Sequence, residues 1–121
     1  MNLRRLGAVA LLTIVLSGCA TVELRKAPAP VDACDNALAS GFLIRSRESG
    51  IALRDATEDI HQVLWPFGYA ARVGLTGVEL LDETGKVVAH EGDFIQAGGG
   101  FAADGAFGVC AGSVTVVPAP G

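Results

Sequence analysis

Basic residues and histidines are scarce in this chain of 121 residues. It has 9 lysines and arginines against 13 acidic residues, a formal net charge of −4. Because proteins bind nucleic acid through clusters of lysine and arginine that displace counterions, nucleic acid is excluded as a partner. The two histidines are His61 and His90, and neither has a positioned third group for catalysis beside it in the sequence. A metal site needs three or more ligands, and although Glu58 and Asp59 lie close to His61, an exposed loop explains these residues as well.

Catalytic motifs are also absent. The triple glycine Gly98–Gly100 is followed by Phe101 and Ala102, whereas a phosphate-binding loop needs a lysine and a hydroxyl there. We interpret the three glycines as a strand break or bulge. No serine stands in the G-x-S-x-G pattern of a nucleophile elbow. The sequence therefore predicts no catalytic residue, cofactor or metal ligand, and a protein that is not an enzyme.

The apolar runs are short. Leu6 to Leu16 follows Arg4 and Arg5 and spans about 11 residues, whereas a membrane helix needs roughly 20. A run of this length after a basic start, ending in the small residues Ser17 and Gly18, is typical of a secretory signal.

The segment Leu16-Ser17-Gly18-Cys19 resembles the lipobox of bacterial lipoproteins. The resemblance implies that residues 1–18 are a signal peptide, and that Cys19 is the lipid attachment site and first mature residue. The alternative is a plain signal peptide with an incidental cysteine. Ala20 is not the aspartate that retains such proteins in the inner membrane. The resemblance therefore implies a lipid-anchored envelope protein, on the periplasmic face of the outer membrane if the cell is Gram-negative.

The mature chain divides into two parts. Residues 19–33 include Ala27-Pro28-Ala29-Pro30, an alternation that favours extended polyproline II, and we predict a tether there. Residues 34–121 are predicted to form one small domain. Removal of the predicted signal peptide takes away Arg4 and Arg5 and leaves 7 basic against 13 acidic residues, a net charge of −6.

Cys34 and Cys110 are the pair that remains once Cys19 is assigned to lipid. Disulfides persist in exported proteins, so we predict that these two cysteines are bonded. The alternative is a pair of metal ligands, although no histidine lies near either cysteine at ligand spacing.

Six or seven short segments of alternating or apolar character, separated by turns every 8–12 residues, predict an all-β fold. We expect a small antiparallel OB-like barrel of five to seven strands, with a small β-sandwich as the alternative. Residues 35–40 are expected to be a short helical turn or irregular. The predicted strands cover Phe42–Arg47, Ile51–Arg54, Val63–Trp65, Val78–Leu81, Lys86–His90, Phe94–Ala97 and a closing strand over Phe107–Val117, and Ala70–Val73 is a further short candidate.

The order of motifs from Val63 to Gly100 resembles a group of small exported bacterial proteins, many of them lipoproteins. The shared features are a tryptophan–proline–glycine turn at 65–68, a hairpin over 78–89, a glycine–aspartate turn at 92–93 and the glycines at 98–100. A late cysteine such as Cys110 often follows, although Cys34 lies further upstream than that group's usual first cysteine. The resemblance implies an OB-like barrel and assigns no activity.

Three aromatic residues, Trp65, Phe67 and Tyr69, form the densest aromatic cluster. They are interpreted either as core packing or as a binding face, since OB barrels use aromatic faces to hold ligands. The expected function is a non-enzymatic binding or structural module. Its partners would be the membrane, through the lipid, and an envelope protein or glycan. The alternative is a small envelope enzyme or inhibitor with a site around His61 or His90.

Overall fold

The computed structural model describes residues 21–121, so Cys19 and the predicted signal peptide 1–18 lie outside the described residues. The described part is all-β, as predicted, and contains no helix long and apolar enough to cross a membrane. Four of its eleven strands have only two residues, which leaves seven longer strands. The strands are β1 (Thr21–Val22), β2 (Ala37–Ser46), β3 (Gly50–Arg54), β4 (Ile60–His61), β5 (Val63–Leu64), β6 (Ala70–Gly74), β7 (Gly77–Leu81), β8 (Val87–His90), β9 (Phe94–Phe101), β10 (Phe107–Val109) and β11 (Thr115–Val116).

The larger sheet is barrel-like because its two edges are joined by a single residue. Its strands run β4-β3-β2-β9-β10-β5, with β11 added beside β9. β4 ends at His61 and β5 begins at Val63, so the two edge strands are neighbours in the chain. The Phe107 amide of β10 donates to the Gln62 carbonyl over 2.9 Å, which ties the junction to the strand beside β5. The sheet therefore curls until its edges nearly meet. Its pairs are antiparallel except β5 with β10.

The smaller sheet covers the core with the order β1-β6-β7-β8. Val78 and Leu80 of β7 point inward and are buried, while Glu79 between them is only partly covered, the alternation expected of a half-buried strand. Two backbone hydrogen bonds between Leu43 and the turn at 92–93 join this sheet to the larger one. The largest fully buried side chains of the shared core are Trp65, Tyr69, Phe107, Leu43, Ile51, Leu53, Leu80 and Ile95.

The first seven described residues, 21–27, form an N-terminal strap that is packed onto the domain. β1 pairs with β6, with Thr21 opposite Arg72. Further along, the Arg25 amide donates to the Ser49 carbonyl over 3.0 Å, and Leu24 and Ala27 are buried. The tether predicted over residues 19–33 is therefore corrected for residues 21–27. The sequence pattern of the strap hides this role because its two buried residues, Leu24 and Ala27, are separated by charged ones.

Other predicted elements also differ from the structure. Residues 37–40 begin β2 rather than forming a helical turn, and they pair with Gln96 to Gly99. The triple glycine does not break β9, which continues to Phe101. An added Cβ on Gly99 would overlap the backbone carbonyl oxygen of Gly108, so glycine is needed there to bring β10 close. The closing strand predicted over Phe107–Val117 is two strands, β10 and β11, separated by a turn at 111–112.

The pair of Cys34 and Cys110 is a disulfide, as predicted, with the two Cα atoms 5.8 Å apart. It joins residues 76 positions apart and holds the segment that leads into β2 against the turn after β10. Cross-links over loops of this length stabilise a domain by on the order of 4 kcal/mol in the chain-entropy account.

Candidate functional site

A groove of about 610 Å³ lies beside the disulfide. We call it the disulfide groove. One wall is the loop from Pro30 to Asp35, and the other includes Pro66 and Phe67. Residues 100–102, at the end of β9, close one side. The groove is therefore built from segments that meet only because the disulfide and the strap hold the loop in place.

Backbone hydrogen bonds fix the start of the loop. The Trp65 amide donates to the Arg25 carbonyl and the Ala27 amide donates to the Trp65 carbonyl, each over 2.9 Å. Lys26 and Trp65 form a parallel bridge there. The side chain of Arg25 also pairs with Asp104. Because Cys34 fixes the other end, residues 28–33 run between two anchored points.

Exposed apolar side chains line this groove at three places. Val31 is 72 % exposed, Phe101 61 % and Phe67 47 %. Phe101 is held from below by the buried ring of Phe107, in an edge-to-face contact with centroids 5.1 Å apart. Large apolar side chains that remain exposed around one concavity are typical of a binding surface.

The charged residues that line the groove all carry the same sign. Asp32, Asp35 and Glu83 contribute carboxylates, and no lysine, arginine or histidine is among the lining residues. The Asp35 side chain lies over Gly100, where a Cβ would overlap it. An apolar groove with an acidic rim favours a ligand that combines apolar groups with positive charge.

The predicted aromatic binding face is corrected by burial. Trp65 is fully buried, and its indole Nε1 donates to the Ile51 carbonyl over 2.9 Å. Tyr69 is also buried, and its hydroxyl accepts from the Gly112 amide at 3.1 Å. Burial raises the pKa of Tyr69 above its ordinary value. Of the three residues only Phe67 keeps a half-exposed side chain. Trp65 and Tyr69 are therefore part of the hydrophobic core and not of a binding face.

His61 lies in a separate depression of about 310 Å³, lined also by Glu48 and Asp104. Its Nε2 is 2.7 Å from Oδ2 of Asp55. The hydrogen bond from His61, followed by that from the Thr57 hydroxyl, holds the pKa of Asp55 well below its ordinary range. A carboxylate that orients an imidazole is one part of a proton-transfer site, but no serine, threonine or cysteine lines this depression.

His90 is the more exposed of the two histidines. Its Nε2 is 3.5 Å from Glu79 and its Nδ1 is 3.7 Å from Asp93, at the edge of the smaller sheet. Glu79 also accepts a hydrogen bond from Arg72 over 2.8 Å. Among residues 21–121, no group of three histidine, cysteine or acidic side chains is arranged to hold a metal ion.

Of the three exposed apolar residues of the groove, the sequence analysis found Phe67 and missed Val31 and Phe101. Val31 stands in the segment interpreted as a tether, and Phe101 in one interpreted as a loop after a strand break. The signal that was available is that both are large apolar residues within segments otherwise rich in glycine, alanine, proline and aspartate. Asp55 and His61 were both assigned to one polar segment, interpreted as a loop or a single helical turn, and their spacing did not show that the turn over 56–59 brings the two side chains together.

Comparison of the chain with family models, with curated proteins and with solved structures found no match.

Proposed function

We propose that this protein is an envelope lipoprotein, anchored through Cys19, whose domain binds a cationic and partly apolar polypeptide segment in the disulfide groove. The observation that carries the proposal is the groove itself, where Val31, Phe67 and Phe101 stand exposed inside an acidic rim. The function is binding rather than catalysis, because the groove contains no pairing of a base with a nucleophile.

The motif Leu16–Cys19 supports the anchor, and the disulfide supports an oxidising compartment. Ala20 favours the outer membrane, on its periplasmic face, if the cell is Gram-negative. Labelled palmitate should join the full-length protein and should not join the Cys19→Ser variant. Equal labelling of both forms, or no labelling of either, would contradict the anchor.

A polypeptide fits the groove better than a glycan or a nucleic acid. The acidic rim repels phosphates, and a neutral sugar would leave Asp32, Asp35 and Glu83 without a charged partner. A basic segment brings ammonium or guanidinium groups to the rim and apolar side chains to the aromatic residues. Complementary charge adds mainly to the association rate and to specificity, while the buried aromatic contacts add most of the affinity.

Two synthetic peptides test this with the full chain in detergent. One alternates lysine and leucine, and the other replaces each lysine by glutamate. We expect the basic peptide to bind, with an affinity that falls as salt is added, and the acidic peptide not to bind. Preference for a neutral oligosaccharide over the basic peptide would contradict the proposal.

Two variants locate the binding. The double change Phe67→Ala with Phe101→Ala should weaken the basic peptide at least about tenfold, since each aromatic contact truncated at a binding centre costs about 1 kcal/mol or more. Leu38→Ala is the matched control, because Leu38 is 66 % exposed and does not line the groove. If Leu38→Ala weakens the peptide as much as the double variant does, the site is elsewhere.

One observation favours a second function, that of a small envelope enzyme. His61 is oriented by Asp55 inside a depression that also presents Glu48 and Asp104, the arrangement of a general base with carboxylates nearby. A hydrolytic activity that disappears in His61→Gln and is kept in Phe67→Ala would favour this function over the first.

A further inference from the structure

We propose that the β6–β7 hairpin tip, residues 74–77, rests in the membrane surface and turns the disulfide groove away from the lipid. The inference rests on the proposed function, because it needs lipid on Cys19. It adds an interaction surface and an orientation that the anchor alone does not give.

The position of the anchor follows from covalent geometry. Cys19 is two residues before Thr21, and consecutive Cα atoms are about 3.8 Å apart, so its Cα lies within about 8 Å of that of Thr21 whatever the conformation. Thr21 is paired with Arg72 in the smaller sheet. The strap leaves no free linker after Thr21, so lipid on Cys19 would hold this corner of the domain against the bilayer.

The hairpin tip is at the same corner. β1 and β6 are antiparallel, and Leu75 follows Arg72 by three residues, at the end of β6 that lies beside the start of β1. At about 3.4 Å per residue, Leu75 is on the order of 10 Å from Thr21. The tip therefore lies within reach of the same membrane surface as the anchor.

The hairpin tip carries an apolar side chain that the fold leaves in solvent. Leu75 is fully exposed, the most exposed large apolar residue among those described. The loop has two residues, Leu75 and Thr76, between the paired glycines Gly74 and Gly77. Neither Leu75 nor Thr76 has a positive φ, so the turn accepts most residue types and its geometry does not require leucine. The boundary between the headgroups and the acyl chains of a bilayer, in contrast, can bury an apolar side chain.

The groove is at the other end of the same sheet. β7 runs from Gly77 at the hairpin tip to Leu81, and Glu83 of the groove rim follows in the next turn. The four steps from Gly77 to Leu81 separate the two ends of the strand by about 14 Å. With Leu75 in the lipid, Glu83 and the acidic rim face away from the membrane, where a cationic partner in solution has access to them.

The test places a fluorescent probe on the lipidated full chain in vesicles of phosphatidylethanolamine and phosphatidylglycerol. Cys34 and Cys110 are bonded to each other and Cys19 carries the lipid, so Leu75→Cys supplies the single reactive thiol. Lys86→Cys is the matched control, because Lys86 is exposed in the turn at the other end of β7. Thr76→Cys gives a second site in the tip that leaves Leu75 in place.

We expect a blue-shifted emission at 75 and 76, and quenching by lipid-attached quenchers that is several-fold stronger there than at 86. If the protein floats with the vesicles and all three probes are quenched equally, or only the probe at 86 is quenched, the inference is wrong while the anchor stands. If the protein does not float with the vesicles, the anchor of the proposed function is itself wrong. Flotation and quenching therefore separate the two failures.

Discussion

Glu58 and Gly85 occupy the same position in two matching turns. In one turn Oδ1 of Asp55 accepts from the amide and hydroxyl of Thr57, and in the other Oδ1 of Asp82 accepts from the amide and hydroxyl of Thr84. The residue after each threonine has a positive φ, 74° for Glu58 and 85° for Gly85. Glu58 is the one non-glycine residue with positive φ in the described part of the chain.

The variant Glu58→Gly should therefore stabilise the protein. A side chain in the left-handed region costs about 1 kcal/mol, and glycine removes that cost while making the unfolded chain somewhat more flexible. We expect a net gain of roughly 0.5 kcal/mol in the free energy of unfolding, measured by denaturant titration. The reverse change at the matching position, Gly85→Glu, should lose about 1 kcal/mol. A loss of stability in Glu58→Gly would show that the backbone at Glu58 is not strained.

The strap gives a second prediction through Gly50. This residue has a φ of 81°, and an added Cβ would overlap the backbone carbonyl of Glu23. Gly50→Ala should lower the free energy of unfolding by about 1 kcal/mol through backbone strain, and by roughly 1–2 kcal/mol more because the strap is displaced. Gly85→Ala is the control, because Gly85 has nearly the same φ and nothing within 4 Å of the added Cβ.

Hydrogen exchange distinguishes backbone strain at Gly50 from displacement of the strap. The amides of Arg25 and Ala27, which bond to Ser49 and Trp65, should lose protection in Gly50→Ala and keep it in Gly85→Ala. If both variants lose the same stability and keep both amides protected, the strap does not depend on the close approach at Gly50.

The disulfide should matter for both stability and binding. The double variant Cys34→Ser with Cys110→Ser frees the wall of the groove and should lower the free energy of unfolding by up to about 4 kcal/mol. Binding of the basic peptide should weaken under conditions where the variant is still folded, as checked by circular dichroism. Peptide affinity that is unchanged in the folded variant would mean that the loop at 30–35 is not part of the site.

Trp65 provides a test of the core assignment. Trp65→Phe removes the hydrogen bond to the Ile51 carbonyl and leaves a cavity, so we expect a loss of about 2–3 kcal/mol. Phe67→Ala, two residues away and half exposed, should cost less than about 1 kcal/mol. Because Trp65 is the single tryptophan, circular dichroism must report the unfolding. Equal losses would contradict the assignment of Trp65 to the core and Phe67 to the surface.

The sequence predicted the local features of this fold better than its long-range ones. The hairpin over 78–89 and the strand over Ile51–Arg54 were found because their apolar periodicity and turn residues are local. The strap was missed because its burial depends on contacts with Ser49 and Trp65, which lie more than 20 residues away. The continuous β9 was missed because glycine is a poor strand former by itself, and only the close neighbours at 35 and 108 explain it.

The candidate site shows the same limit. The sequence pattern found Cys34, Cys110 and Phe67, each through its residue type. It could not find that Val31 and Phe101 face the same concavity, because that depends on how the loop at 30–35 is held. It also counted Trp65 and Tyr69 with Phe67, since three aromatics at alternate positions give no sign of which way a bend turns each ring.

The carboxylate of Asp55 should make the stability of the protein sensitive to acid. Hydrogen bonds from His61 and Thr57 lower the pKa of Asp55 in the folded state, so the folded protein binds fewer protons at this group than the unfolded chain does. The stability contributed by Asp55 is therefore fully present above its unfolded pKa of about 3.9 and is lost as the pH falls below that value. Asp82 and Asp104 have lowered pKa values as well, so some acid sensitivity should remain without Asp55.

Denaturant titrations from neutral pH down to about pH 2 measure this contribution. The variant Asp55→Asn should be less stable than the wild type at neutral pH, and its stability should fall less steeply below about pH 4. His61→Ala removes the hydrogen bond that is the largest cause of the lowered pKa while leaving the carboxylate, so its acid slope should lie between the two. If all three proteins lose stability with the same slope below that pH, the bond between His61 and Asp55 does not hold the carboxylate in its charged form.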